Sequence, residues 1–188
     1  MQKSARMMDD KRVKQAIGAC KNERETAMML LSVRAGLRAV EIAGIKWCSV
    51  DLEDGLLLLK TTKGNRPRHV PIAKDLRAAL EAYRATRDGK NSKDRLVFTN
   101  THNRPGQPLT ANAVACWFHD FYNRRLGWEG YSSHSGRRTF ATKVARKIGE
   151  VGGSVRDVQK LLGHEWLSTT QRYIDVDPDA QKKVIDLI

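Results

Sequence analysis

Four short segments place a cation, an imidazole or a hydroxyl beside a turn or a helix boundary. They are Ala35-Gly36-Leu37-Arg38-Ala39-Val40-Glu41, Thr62-Lys63-Gly64-Asn65-Arg66, His134-Ser135-Gly136-Arg137-Arg138, and Leu161-Leu162-Gly163-His164 with Tyr173 beyond. Guanidiniums are permanently charged and forked, so Arg38 and Arg137 are suited to bridging phosphate oxygens. Each segment also has an ordinary explanation. Arg38 and Glu41 stand at i, i+3, the spacing of a solvated helix ion pair worth roughly a few tenths of a kcal/mol. Lys63 reads equally well as a turn lysine, and His134 with Arg137 as a structural pair on one helix face. Tyr173 is one of 4 tyrosines, and a buried tyrosine is more often core than nucleophile.

The elements that must position these groups are mostly helical. Asp9 and Asp10 can start a helix with Val13, Ile17 and Cys20 at helical spacing. A second runs from Glu23 through Val33 and stops near Gly36, with Ser32 the one polar break in its apolar run. A short third carries Arg38, Glu41, Ile42 and Ile45. Leu56 to Leu59 reads as a strand, and His69 to Ile72 as its return. Gly64-Asn65 supplies the turn between them. Asp75 to Arg87 is helical again, and Leu96-Val97-Phe98 is a short extended segment. Thr110 can cap a helix through Phe121, and Ser133 or Ser135 can start one through Ile148 that Gly149 to Gly153 breaks. Ser154 caps another through Leu162. Two small helices follow, one around Tyr173 and one from Pro178 to Ile188. The fold class expected is α+β, mainly α-helical, with a small antiparallel β-sheet.

Composition narrows the partners. The 188 residues hold 34 Lys plus Arg against 21 Asp plus Glu, a formal net charge of +13. Hydrophobic residues make up 40% of the chain, which supports a packed core rather than a disordered basic tail. Excess positive charge on a folded chain points to a polyanion, since Lys and Arg displace counterions condensed on phosphates. A merely basic protein would look the same on charge alone. No apolar run approaches the roughly 20 residues that span a bilayer, and the first ten residues lack the apolar core of a secretory signal. Cys20, Cys48 and Cys116 are odd in number and far apart, so neither a disulfide framework nor a zinc site is expected. A reducing, cytoplasmic setting is the natural expectation.

Order and spacing change the weight of the four segments. Taken together they resemble the catalytic domain of tyrosine recombinases, the phage integrase family. That family shows an Arg in a Gly-Leu-Arg-x-x-Glu stretch, a Lys in a β-hairpin, a His-x-x-Arg, and a Leu-Gly-His followed by a Tyr nine residues on. Here these are Arg38 with Glu41, Lys63, His134 with Arg137, and His164 with Tyr173. Flanking residues fit too: Trp47 and Asp51, Arg68-His69-Val70-Pro71-Ile72, and Thr169-Thr170-Gln171-Arg172. The resemblance covers about Thr26 to Val176. The sequence departs from the pattern at Gly136 and Arg138, where the family commonly has Leu and His. Glu150 to Gly153 looks like a small insertion.

The resemblance implies site-specific breaking and rejoining of double-stranded DNA through a covalent 3′-phosphotyrosyl intermediate. Tyr173 would be the nucleophile and Lys63 the acid for the leaving 5′-oxygen. His134 would take or relay the tyrosine proton, and His164 would bond a phosphate oxygen. Arg38 and Arg137 would meet the charge that builds on phosphorus oxygens. No metal or other cofactor is expected, and no GxxxxGK[ST] phosphate loop occurs. Residues 1–188 are expected to form a single catalytic domain, without the N-terminal DNA-clamping domain many members carry. A homo-tetramer on paired DNA sites is implied, with the stripe Ala180, Val184, Leu187 and Ile188 docking on a neighbouring protomer or on its own domain. Arg66, Arg68, Lys143, Arg146 and Lys147 are candidate phosphate contacts; His69, His102 and His119 read as structural or surface residues. A type IB topoisomerase and a non-catalytic DNA-binding regulator are the alternatives.

Overall fold

A computed structural model of the chain describes residues 5–60, 67–86, 99–100 and 104–171. Its centre is a helix that is buried nearly all round. Helix α2, Glu23–Arg34, buries every residue from Ala27 to Val33, and its N-cap Asn22 accepts from the Glu25 N–H. Such a helix needs neighbours on several sides. Helix α1, Asp10–Gly18, capped by Asp9, lies against it, as does α4, Lys74–Ala85, through Leu76, Leu80 and Tyr83. Helix α6, Ser133–Lys147, packs on a further side of α2, and the short α3, Ala39–Gly44, follows it in sequence.

A small antiparallel sheet adjoins the helices. Strands β1, Val50–Asp51, β2, Leu56–Leu59, and β3, Arg68–Pro71, pair in that order. The register places Leu57 opposite Val70 and Leu59 opposite Arg68. Strand alternation sends one set of side chains inward. Leu57, Leu59, Val70 and Arg68 are buried, while His69 is exposed. Lys63 falls in the connection between the paired residues Leu59 and Arg68, outside the described residues. Leu96-Val97-Phe98, expected to be extended, also lies outside them. A second pairing follows, β4, Thr99–Asn100, with β5, Arg104–Pro108.

Helix α5, Ala111–Asp120, starts at its cap Thr110 as expected and runs into one π-helical turn, Phe121–Arg125. Trp117, Phe118, Phe121, Tyr122, Trp128 and Tyr131 form a connected aromatic cluster there. Helix α6 starts at Ser133, one of the two starts expected, with Ser132 as its cap; the Ser135 hydroxyl in turn accepts from the Ser132 N–H. Helix α7, Val155–Leu162, begins at Ser154 and ends at Gly163, and α8, Leu167–Gln171, completes the described chain. Ala141, Val158 and Leu162 make a second, smaller apolar cluster between α6 and α7.

Candidate active site

The site is built around one buried carboxylate. Glu41 lies on the first turn of α3, where its Oε2 accepts the backbone N–H of Arg38 at 2.8 Å. Its Oε1 accepts from Arg38 Nη1 at 3.2 Å. Arg68, coming inward from β3, grips the same carboxylate with both arms, at 2.8 and 3.1 Å. Arg137 Nη1 stands 3.8 Å from Oε2. Burial alone would raise the Glu41 carboxyl. The hydrogen bonds and charge of Arg68, the Arg38 N–H and the charge of Arg137 outweigh it and hold the group ionised below its ordinary range. One anion therefore anchors three cations, and among the described residues the cluster carries a surplus of positive charge. Arg38 is the member that reaches out: its side chain is 27% exposed, against 6% for Arg68 and 5% for Arg137.

Two left-handed glycines aim the remaining groups. Gly36, at φ +65°, turns the chain out of α2, and its carbonyl accepts from Arg137 Nη1 at 2.6 Å. A Cβ there would sit 2.4 Å from Phe140 Cδ1, so the turn needs both the conformation and the space. Gly163, at φ +62°, ends α7 and swings His164 back over it. The His164 N–H bonds to Gln159 O at 3.1 Å, and the Gln159 amide donates to His164 O at 3.1 Å. The exposed carbonyl end of α7 is met by two guanidiniums. Arg68 Nε donates to Leu161 O at 3.0 Å and Arg137 Nη2 to Leu162 O at 2.7 Å, the arrangement a helix C-terminus favours.

His164 completes the cluster. Its Nε2 stands 3.0 Å from Arg137 Nη2 and its Nδ1 2.9 Å from Thr170 Oγ1. Burial, then the charges of Arg137, Arg38 and Arg68, push its pKa down to about 4, with Glu41 opposing. The imidazole is neutral at pH 7. His134 lies one helical turn before Arg137 on α6 and is exposed, its N–H bonded to Ser132 Oγ at 3.3 Å. Arg38, Arg137 and His164 are thus brought together, with His134 on the same helix. Lys63 and Tyr173 lie outside the described residues. The other tyrosines are core: Tyr83, Tyr122 and Tyr131 are all buried.

A family model for the phage integrase family matches residues 6–180. The chain belongs to that family. Among curated relatives, the tyrosine recombinase XerC of Pseudomonas aeruginosa is 34% identical over 163 residues, which is 87% of this chain and 51% of the relative. The tyrosine recombinase XerA of Thermococcus kodakarensis is 33% identical over 162 residues, 86% of this chain and 54% of the relative. The chain therefore spans about half the length of these relatives. Among solved structures, the XerA recombinase superposes with a TM-score of 0.75 at 25% identity, over 100% of this chain and 66% of that one. XerH bound to its difH substrate matches with a TM-score of 0.73 at 22% identity, over 95% of this chain and 53% of that one. The fold is that of tyrosine recombinases, mainly helical with a small antiparallel sheet.

Within this integrase-family fold, some basic residues stand differently from expectation. Arg68 is buried, and its guanidinium is spent on Glu41 and Leu161 O, so it is no phosphate contact but part of the pocket wall. Strand alternation was the available signal: an inward Val70 puts Arg68 on the same face. The Lys143 ammonium is paired with Asp10, and Arg138 Nη1 donates to Ala5 O at 3.0 Å. Lys147 is exposed, and Arg66 lies outside the described residues. His69 and His119 are exposed, as read, and His102 is outside. Thr170, named only as flanking sequence, is a direct partner of His164. Among the described residues no three His, Cys, Asp or Glu stand together as a metal-ligand set, and no helix is long and apolar enough to cross a membrane.

Proposed function

We propose that this chain carries the catalytic centre of a site-specific DNA recombinase that cuts and rejoins strands through a covalent phosphotyrosyl intermediate. The observation that supports it most is the set of three guanidiniums, Arg38, Arg68 and Arg137, held together on the single carboxylate of Glu41. Attack on a phosphodiester builds negative charge on the non-bridging oxygens, and Arg38 and Arg137 are preorganised to meet it. Tyr173 Oη attacks phosphorus and the bond to the 5′-oxygen breaks. Lys63 gives that oxygen its proton, while His134, exposed on the first turn of α6, receives the proton of the tyrosine. The 3′-phosphotyrosyl bond keeps the energy of the phosphodiester, so rejoining is the reverse attack by a 5′-hydroxyl. Named relatives of this chain are tyrosine recombinases, and burial of the other three tyrosines leaves Tyr173 as the hydroxyl available for the role. Double-stranded DNA is the substrate, and a tetramer on paired sites is the recombining unit, with the apolar stripe of residues 180–188 as its contact.

The test is a pool of nicked duplexes, randomised around the nick, from which a short 5′ fragment diffuses away after cleavage. Wild-type protein accumulates a covalent complex that survives denaturation, in EDTA as in Mg²⁺. Tyr173→Phe forms none while binding DNA as before. Covalent trapping by the Phe variant, or a strict Mg²⁺ requirement, overturns the mechanism. Relaxation of supercoiled DNA without paired sites would favour the topoisomerase alternative.

A further inference from the structure

Thr170 is completely buried on α8, three residues before Tyr173. A buried hydroxyl is kept where it has a partner, and here the partner is the imidazole of His164 at 2.9 Å. The direction of that bond follows from the other side of the ring. Arg137 Nη2, 3.0 Å from Nε2, can only donate, so Nε2 must present its lone pair. A neutral imidazole carries one proton, and it therefore resides on Nδ1. Thr170 Oγ1 accepts it. The hydrogen bond made by one ring nitrogen decides the state of the other.

We propose that Thr170 is a positioning residue: it accepts the proton that Arg137 leaves on Nδ1 and so fixes the ring plane of His164 with Nε2 facing the arginine pocket. The proposal rests on the phosphoryl-transfer reading for its purpose, though not for its geometry. A phosphate oxygen is an acceptor, and His164 can bond it only after Nε2 takes up a proton from solvent. Arg137, Arg38 and Arg68 disfavour that proton and Glu41 favours it; an arriving phosphate adds the negative charge that tips the balance. Thr170 Oγ1 accepts from Nδ1–H before and after this uptake, so the ring need not turn when it changes charge. The same bond ties the turn bearing His164 to α8.

The variants are Thr170→Val, which keeps the shape and removes the acceptor, and Thr170→Ser, which keeps the acceptor. The first readout is the tautomer of His164 in 15N-labelled protein, by long-range 1H–15N correlation, with the signal identified by its loss in His164→Gln. At neutral pH wild type and Thr170→Ser should show a hydrogen-bonded Nδ1–H, shifted downfield and protected from exchange. Thr170→Val, in which Arg137 still faces Nε2, should keep the proton on Nδ1 but lose that shift and that protection. The second readout is the single-turnover rate of covalent complex formation on the nicked pool. Loss of the acceptor should slow it about ten- to a hundredfold with DNA affinity unchanged, and Ser should restore it. A wild-type proton on Nε2, or a Val variant whose His164 signal matches wild type, overturns the proposal whatever the cleavage rate. A Thr170-dependent Nδ1–H signal in a protein that never links to DNA would support the hold on His164 and overturn the phosphoryl-transfer reading instead.

Discussion

A histidine kept neutral between guanidiniums makes folding depend on pH. His164 titrates near 4 in the folded chain, against an ordinary value of 6.5. Between those values the unfolded chain binds a proton that the folded one refuses, so stability is full above pH 6.5 and falls as pH drops toward 4. The lowered carboxyls of Glu25 and Glu41 act in a lower window, below their ordinary value of 4.5, so they do not blur the effect. Thermal unfolding at pH 7 and pH 5 should show a lower Tm at pH 5, and His164→Gln should remove most of that difference. An unchanged pH dependence in the variant would mean that His164 is solvated in the free protein. At this scale the sequence disclosed the identities of Arg38, Glu41, Arg137 and His164, because their types recur at characteristic spacings. It did not disclose that Arg68 belongs with them. A basic residue beside a basic turn resembles a surface phosphate contact until a strand register turns it inward, toward a carboxylate 27 residues earlier.

The approach of α2 and α6 is set by two small residues. Ser32 and Gly136 meet so closely that a Cβ on Gly136 would lie 2.1 Å from Ser32 Oγ and 2.8 Å from its Cβ. The Ser32 hydroxyl is buried with no hydrogen-bond partner among the described residues, so it is tolerated there for its size. Glycine inside a helix ordinarily costs about 1 kcal/mol relative to alanine, yet Gly136→Ala should destabilise, because overpacking costs about 1–3 kcal/mol. Arg137 is the next residue, so the same change should also reduce covalent complex formation. Chemical denaturation of Gly136→Ala, Ser32→Gly and the double variant tests the contact; the double should be more stable than the sum of the singles allows. Additive losses would place the strain elsewhere. Helix starts such as Asp9, Thr110 and Ser154 were legible, since a cap is local chemistry. Strand β1 and the π-helical turn were not. A two-residue strand exists through its pairing with Leu56 and Leu57, and the π-turn through the aromatic cluster around Tyr122, neither of which shows in local periodicity.

For the whole molecule, the formal charge of +13 is spread over cations with different work to do. Those on Glu41 and Glu25 are tied down inside or at the edge of the core, as the Arg125–Glu25 pair at 2.5 Å illustrates. Others, such as Lys147, lie exposed on α6, the helix that presents His134 and Arg137. Binding of duplex DNA should therefore weaken steeply with salt, log K falling against log salt by about 0.9 for each phosphate neutralised. Lys147→Gln should reduce that slope by about 0.9 if its ammonium meets a phosphate. Lys143 is held by Asp10, and the pair has no net charge to offer. Neutralising both, as Lys143→Gln with Asp10→Asn, should leave the slope where it was. Fluorescence anisotropy with a labelled duplex across a salt series measures all three. If the doubly neutralised variant loses as much slope as Lys147→Gln, then Lys143 leaves Asp10 for the DNA, and the pair holds the free protein rather than the complex. A slope near zero in the wild type would remove electrostatics as the driving force, and the recombinase reading would lose its physical basis for capturing DNA.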